Sequence, residues 1–285
     1  MNNSSCYRFE QIEYSDGLLD LDATYIIHLE GNGRIENIKS QLNEYHPTNL
    51  VYILYNKGYK ICDKSADIDK PRGDLIDAFI TVFNDAHQKN YKNILILEDD
   101  FIFSKKIKKQ STQKKVMEFV NKKTNENENY IYLLGCLPFL QRPYDDNTNI
   151  LLCGIGMHAC IYSRKCIELV LQQDQNTFND WDYYTQMNIT KYMYHEPLCY
   201  QLFPETENQK NWMSFFGLKD VLVLLIRLCK MDVKEEPGYT IFYNISKVLP
   251  LVIILLLIFL LVAIPLLIYD IIRPSDKIKK IINKK

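Results

Sequence analysis

From Val248 to Tyr269 the chain reads VLPLVIILLLIFLLVAIPLLIY, 22 residues without a charged side chain. A helix rising 1.5 Å per residue needs about 20 such residues to cross the hydrocarbon core of a bilayer. Soluble cores seldom call for so long an apolar run. The segment therefore predicts one transmembrane helix and makes a lipid bilayer a partner of the chain. Pro250 and Pro265 fall near its ends, where a missing backbone donor is most easily tolerated. The run also divides the chain. Residues 1–21 form an N-terminal extension, 22–214 a soluble domain, 215–247 an amphipathic helix and linker, 248–269 the span and 270–285 a basic tail.

Two signals disagree about orientation. The tail carries Arg273, Lys277, Lys279, Lys280, Lys284 and Lys285, against Lys230, Lys234 and Lys247 before the span. Counting positive charges puts the tail in the cytosol and the domain across the membrane. The N-terminus, however, has no apolar run of a secretory signal. The eight cysteines form no CxxC pair and no disulfide framework, and read as buried thiols of a reducing compartment. The expectation is a cytosolic domain, with a lumenal one as the alternative. In that case the sequons at Asn2, Asn3, Asn188 and Asn244 would matter.

Hydrophobic residues make up 47% of the chain and charged residues 24%, enough for a substantial core. A net charge of −1 gives no reason to expect nucleic-acid binding, which usually needs a basic face, so no nucleic-acid partner is expected. Short apolar runs at 22–30, 49–55, 93–97 and 130–134 predict strands. Ile35, Ile38 and Leu42, then Leu75, Ile76, Phe79, Ile80 and Phe83, predict helices between them. Strands alternating with helices imply an α/β fold with a mostly parallel, Rossmann-related sheet flanked by helices. Residues 150–162 predict one or two further strands and 163–173 a helix. The polar tract 121–129 reads as a surface loop. Residues 215–231 read as an amphipathic helix that packs on the core or lies on the membrane surface.

The chemistry concentrates where an apolar strand, Asn93-Ile94-Leu95-Ile96-Leu97, runs into Glu98-Asp99-Asp100. Ligands of open α/β sheets bind at the carboxyl ends of strands. Three adjacent carboxylates repel one another unless a cation neutralises them, and hard oxygen ligands suit Mg²⁺ or Mn²⁺. An acidic turn after a buried strand is the plainer alternative. Asp180-Trp181-Asp182 reads as the opening of a helix. A carboxylate there suits a general base, and equally a helix N-cap. No dinucleotide fingerprint, P-loop, GxSxG or HExxH is present. The five histidines read as surface or core residues. A metal-dependent phosphotransferase or nuclease is left open by Lys105, Lys106, Lys108 and Lys109 beside the acidic triplet.

Taken in order, these pieces resemble glycosyltransferase family 25, the lipooligosaccharide and procollagen galactosyltransferases and their relatives in large DNA viruses. Tyr25-Ile26-Ile27-His28-Leu29 followed by Arg34 is similar to the family's opening element, with His28 in place of Asn and Gly33 in place of Asp. Leu97-Glu98-Asp99-Asp100 resembles its Leu-Glu-Asp-Asp signature. Gly156 to Ser163, Asp180-Trp181 and Pro197 with Gln201 resemble its later elements. The likeness spans residues 23–212. The family's Gly-x-x-Gly-Cys…Ser-His element is missing, and Arg72-Gly73-Asp74-Leu75 stands in its region. The resemblance implies a GT-A-like fold, a UDP-sugar or similar nucleotide-sugar donor and inversion at the anomeric carbon. It implies Mn²⁺ or Mg²⁺ on Glu98 and Asp100, and donor contacts from Arg34, Asp99 and Gln201. The base would be Asp180, with Asp182 second, and the acceptor a glycan or glycoprotein. A catalytically inactive relative that binds glycans or partners is the alternative.

Overall fold

The computed structural model describes residues 6–65, 68–174, 178, 180–203 and 218–272. The first five residues, with the sequons at Asn2 and Asn3, lie outside them. So do Asn179, the last part of the resemblance at 204–212, the start of the 215–231 helix and the basic tail from Arg273.

The chain begins inside the sheet: β1 (Tyr7–Glu13), in the stretch assigned to an extension, lies antiparallel on β3 (Leu50–Asn56). Next to it come β2 (Ala23–Leu29) and β4 (Asn93–Glu98), both parallel neighbours, joined through α1 (Ile35–Glu44) and α2 (Pro71–Gln88). Helix α2 starts with Pro71, whose ring pre-sets the first helical turn and whose missing N–H has no partner to lose. Beyond β5 (Phe101–Phe103) and α3 (Gln110–Asn125), β6 (Tyr130–Pro143) and β7 (Thr148–Ser163) form a long hairpin. Helices α4 (Arg164–Leu171) and α5 (Trp181–Asn188) precede β8 (Thr190–Tyr194) and β9 (Cys199–Gln201). The sheet order is β1-β3-β2-β4-β7-β6-β8, with β5 and β9 pairing separately.

The expected mostly parallel sheet needs correction: the sheet is mixed. Its β3-β2-β4 part is parallel, but β4–β7, β6–β7 and β7–β8 are antiparallel. The reason is connection length. Parallel neighbours need a crossover of a dozen residues or so, and only four separate β6 from β7.

Strands buried on both faces are apolar at every position. In β2, Tyr25 and Ile27 face one core and Ile26 the other; in β4, Ile94 and Ile96 oppose Leu95 and Leu97. The first core is closed by α2, through Phe79 and Phe83, and by Trp181 of α5. The second is closed by Ile38 and Leu42 of α1 and by Val116, Phe119 and Val120 of α3. Helix α3 also corrects the loop expected at 121–129. Much of that polar tract is its last turns, and Lys123 is buried against Glu126 and Glu128 at 3.0 and 2.7 Å.

Two further corrections concern the cysteines and the span. Cys6 and Cys62 form a disulfide that clips the start of β1 to the segment after β3. Helix α6 (Leu218–Leu228) is followed by α7 (Gly238–Ile272), 35 continuous residues that begin ten before the expected span. Its early turns belong to the domain: Tyr239, Tyr243 and Ser246 are buried. Gln141 of β6 donates to Tyr243 O at 2.9 Å and to Ser246 Oγ at 2.6 Å. From Val248 outward the side chains are exposed almost without exception. Among the described residues this is the one helix long and apolar enough to cross a bilayer.

Candidate active site

The acidic triplet sits where β4 ends, and its three carboxylates do three different things. Asp99 is turned into the protein. It accepts from Leu29 N at 3.1 Å, Asn32 Nδ2 at 2.6 Å and Arg34 Nη1 at 2.6 Å, with His28 Nδ1 at 3.3 Å. Burial alone would favour its neutral form, but His28, Arg34 and Asn32 outweigh that and hold its pKa below the usual carboxylate value. Oδ2 takes the Leu29 amide and the Asn32 side chain, with His28 beside it, and Oδ1 takes Arg34. Asp99, expected among the donor-binding residues, therefore anchors the β2–α1 loop to the end of β4.

Asp100 is held on one side only. Its Oδ2 accepts from Gln201 Nε2 at 2.9 Å and lies 3.0 Å from Arg34 Nη1. Its Oδ1 is buried and makes no hydrogen bond among the described residues. Burial raises its pKa, against the pull of Arg34 and Gln201. Glu98 keeps part of its surface open to solvent but is densely packed around. Burial, then the negative charges of Asp100, Asp182 and Asp99, drive its pKa well up.

Asp182, in the first turn of α5, lies within electrostatic reach of Glu98. Gly156 N donates to its Oδ2 at 2.9 Å, and Gly156 is the residue of β7 with φ +67°, a conformation that favours glycine. Burial raises the Asp182 pKa; Lys191 and the Gly156 amide work against the rise. Lys191 is itself buried, its Nζ donating to Asp182 O at 3.1 Å. Asp180, by contrast, caps α5: its Oδ1 accepts from Tyr183 N at 3.0 Å, and Arg72 Nη1 lies 3.8 Å from its Oδ2. Its side chain is a third exposed.

Three residues of this neighbourhood escaped the sequence reading. His28 is buried against Asp99. His158 is buried within electrostatic reach of Asp100, its Nδ1 2.7 Å from Gly156 O and its Nε2 unpartnered among the described residues. Gly135 of β6 makes room for it, since a Cβ there would stand 2.4 Å from His158 Nε2. Arg72 adds an exposed cation beside Asp180. Histidine spacing carried no signal because these partners come together only through strand pairing. The lysine cluster after the triplet is partly spent on protein carboxylates, Lys106 on Glu196 at 2.6 Å and Lys108 on Glu44 at 3.0 Å.

No group of three His, Cys, Asp or Glu side chains that could hold a metal ion is present among the described residues. Glu98 and Asp100, the pair expected to hold a cation, both have raised pKa values, and Asp100 offers a buried oxygen that is unpaired among the described residues. Mg²⁺-type ions are commonly held by one or two carboxylates, with substrate phosphates and water completing the shell. An open cavity of about 250 Å³ lined by Asn127, Asn129, Lys165 and Glu168 lies near the opposite end of β4 and holds no such cluster.

No known protein family and no curated protein matches the sequence. Two solved structures are similar to it. The crystal structure of A197 from STIV shares 14% identity over 64% of this chain and 85% of its own, with a TM-score of 0.36. The crystal structure of a glycosyltransferase involved in the glycosylation of the major capsid of PBCV-1 shares 13% over 58% and 74%, with a TM-score of 0.34. Overlaps this loose do not decide chemistry. What is left to decide it is the carboxylate cluster.

Proposed function

We propose that the chain is a metal-dependent glycosyltransferase. It would move a hexose from a nucleotide-diphosphate donor, such as a UDP-sugar, to a hydroxyl of a glycan or glycoprotein, inverting the anomeric carbon. One observation carries this reading: Glu98, at the carboxyl end of β4, lies within electrostatic reach of Asp100, Asp182 and Asp99, and Asp100 Oδ1 is buried with no partner among the described residues. Such a cluster is costly in an apoprotein and useful only when a cation or a proton transfer employs it. A divalent ion on Glu98 and Asp100 would offset the charge developing on the departing diphosphate. Gln201 orients Asp100, and Arg34 and Arg72 offer further positive charge to phosphate.

Asp182 is the better base. Its carboxylate accepts from the Gly156 amide, burial raises its pKa, and its charge reaches Glu98. It takes the proton of the acceptor hydroxyl as that oxygen bonds to the anomeric carbon. The bond to the diphosphate oxygen breaks on the opposite face, and the nucleoside diphosphate leaves with its electron pair. Asp180 is occupied as a helix cap.

One observation favours a second reading. Arg34 already places a cation 3.0 Å from Asp100, which suits a domain that binds glycans without turnover. Thermal shift with Mn²⁺ and UDP, followed by UDP-hexose hydrolysis, separates the two. Stabilisation and hydrolysis, both lost in Asp100→Ala, support the enzyme; stabilisation by glycans alone supports the binder.

A further inference from the structure

The apolar helix α7 starts at the wall of the carboxylate cluster. Tyr239, in its first turn, donates from its hydroxyl to Gln201 O at 3.0 Å and accepts from Gln201 N at 2.9 Å. The side chain of the same Gln201 holds Asp100. Further along, Gln141 binds Tyr243 O and Ser246, and Lys247 Nζ donates to His195 O at 2.8 Å. Residues 239–247 are thus fastened to β6, β9 and the segment after β8, and α7 leaves the domain as one continuous helix. Nine residues separate Tyr239 from Val248, about 14 Å of helix. Tilting the helix can only shorten that height.

A second observation lies in α6. Ile226 is fully buried and Leu222 packs on the core, yet Val221, Leu224, Leu225 and Leu228 are 53, 56, 41 and 69% exposed. The turn after α6 is part of the same wall, since Phe203 N donates to Met231 O at 3.0 Å and Phe203 lies beside Gly156. Arg227, Lys230 and Lys234 are exposed on and just after α6, as is Asp220 in its first turn. An exposed apolar helical face with charged borders, joined to a span by a short packed link, is the composition of an interfacial helix.

We propose that the outer face of α6 docks on the bilayer into which α7 inserts, holding the site at a fixed, short height above the headgroups. This rests on the reading of α7 as a span. Under the proposed glycosyl transfer, it would make the acceptor a hydroxyl held at the membrane surface, where a site with no hinge to the bilayer can reach it.

The test uses the full chain in phosphatidylcholine nanodiscs, with lipids brominated at shallow acyl positions. Leu228→Trp and, separately, Leu224→Trp report on α6 as the difference in emission from the parent chain, which carries Trp181 and Trp212; Tyr183→Trp, on the exposed side of α5, is the control read the same way. Blue-shifted emission that the bromolipids quench at both α6 positions, with the control unquenched, supports docking. Red-shifted, unquenched emission at α6 overturns it. Blue-shifted emission without quenching, in nanodiscs that hold two copies, also overturns it and assigns the face to a second chain. None of these readouts needs turnover. Failure of the enzyme reading would show separately, as absent UDP-hexose hydrolysis in a protein whose α6 is still quenched.

Discussion

At the residue scale, two aspartates two positions apart in sequence meet different fates. Asp180 spends its carboxylate on the first turn of α5, whereas Asp182 accepts from the Gly156 amide within electrostatic reach of Glu98. Asp182→Asn should lower kcat by about 10²–10⁴-fold, the usual share of a general base. Asp180→Ala should cost about 1 kcal/mol of stability as a lost cap and leave most activity. Paired steady-state kinetics and thermal melts check both. Glu98 carries a pH signature. Its folded pKa is raised above the unfolded value, so the native state holds the proton longer. Stability is unpenalised below the unfolded value, near pH 4.3, and falls as pH rises towards the folded one. In chelator, Glu98→Gln should therefore melt higher than the parent at pH 7 and equally at pH 4. Mn²⁺ should narrow the gap at pH 7 by stabilising the parent alone.

At the scale of elements, the apolar strands and the two amphipathic helices α1 and α2 were legible because their periodicity is local. Helix α3 was not, since its apolar stripe of Val116, Phe119 and Val120 is diluted by lysine, glutamine and threonine. The disulfide was hidden for another reason. Cys6 and Cys62 are 56 positions apart and meet only because β1 runs antiparallel to β3, a pairing that no spacing rule contains. Cys62→Ser should lower stability by about 2–4 kcal/mol, measured by denaturant melts under non-reducing conditions. The neighbouring Lys64 is buried against Asp74 at 2.6 Å, with Asp77 at 3.3 Å. Lys64→Met should cost about 3–5 kcal/mol by stranding those carboxylates. It should loosen the segment after β3 without touching Glu98.

At the scale of the whole molecule, domain and anchor share one helix. A chain cut after Lys247 should be soluble and keep its melting temperature. A chain cut before Gly238 should lose several kcal/mol, roughly 1.5–3 for each of the buried Tyr239 and Tyr243, and release Gln201 from its clamp. Circular-dichroism melts of the two truncations check this. The Cys6–Cys62 disulfide replaces two of the reduced thiols expected from the sequence, and disulfides persist in oxidising compartments. Protease digestion of sealed microsomes tests orientation: a digested domain marks the expected cytosolic side, and a protected domain with a glycan on the exposed Asn188 marks the lumenal one.

The sequence by itself determined what depends on neighbours along the chain: the 22-residue apolar run, the strand ending in three acids, and the helices with a clear stripe. Tertiary structure decided which acid does what. Asp99 became an anchor because the β2–α1 loop folds back over β4, and Asp100 kept a free oxygen because Gln201 reaches only one side. Asp182 joined the site because a glycine in β7 offers it an amide. A carboxylate's chemistry is set by the charges and dipoles within a few ångströms, and those come from strands far apart in sequence.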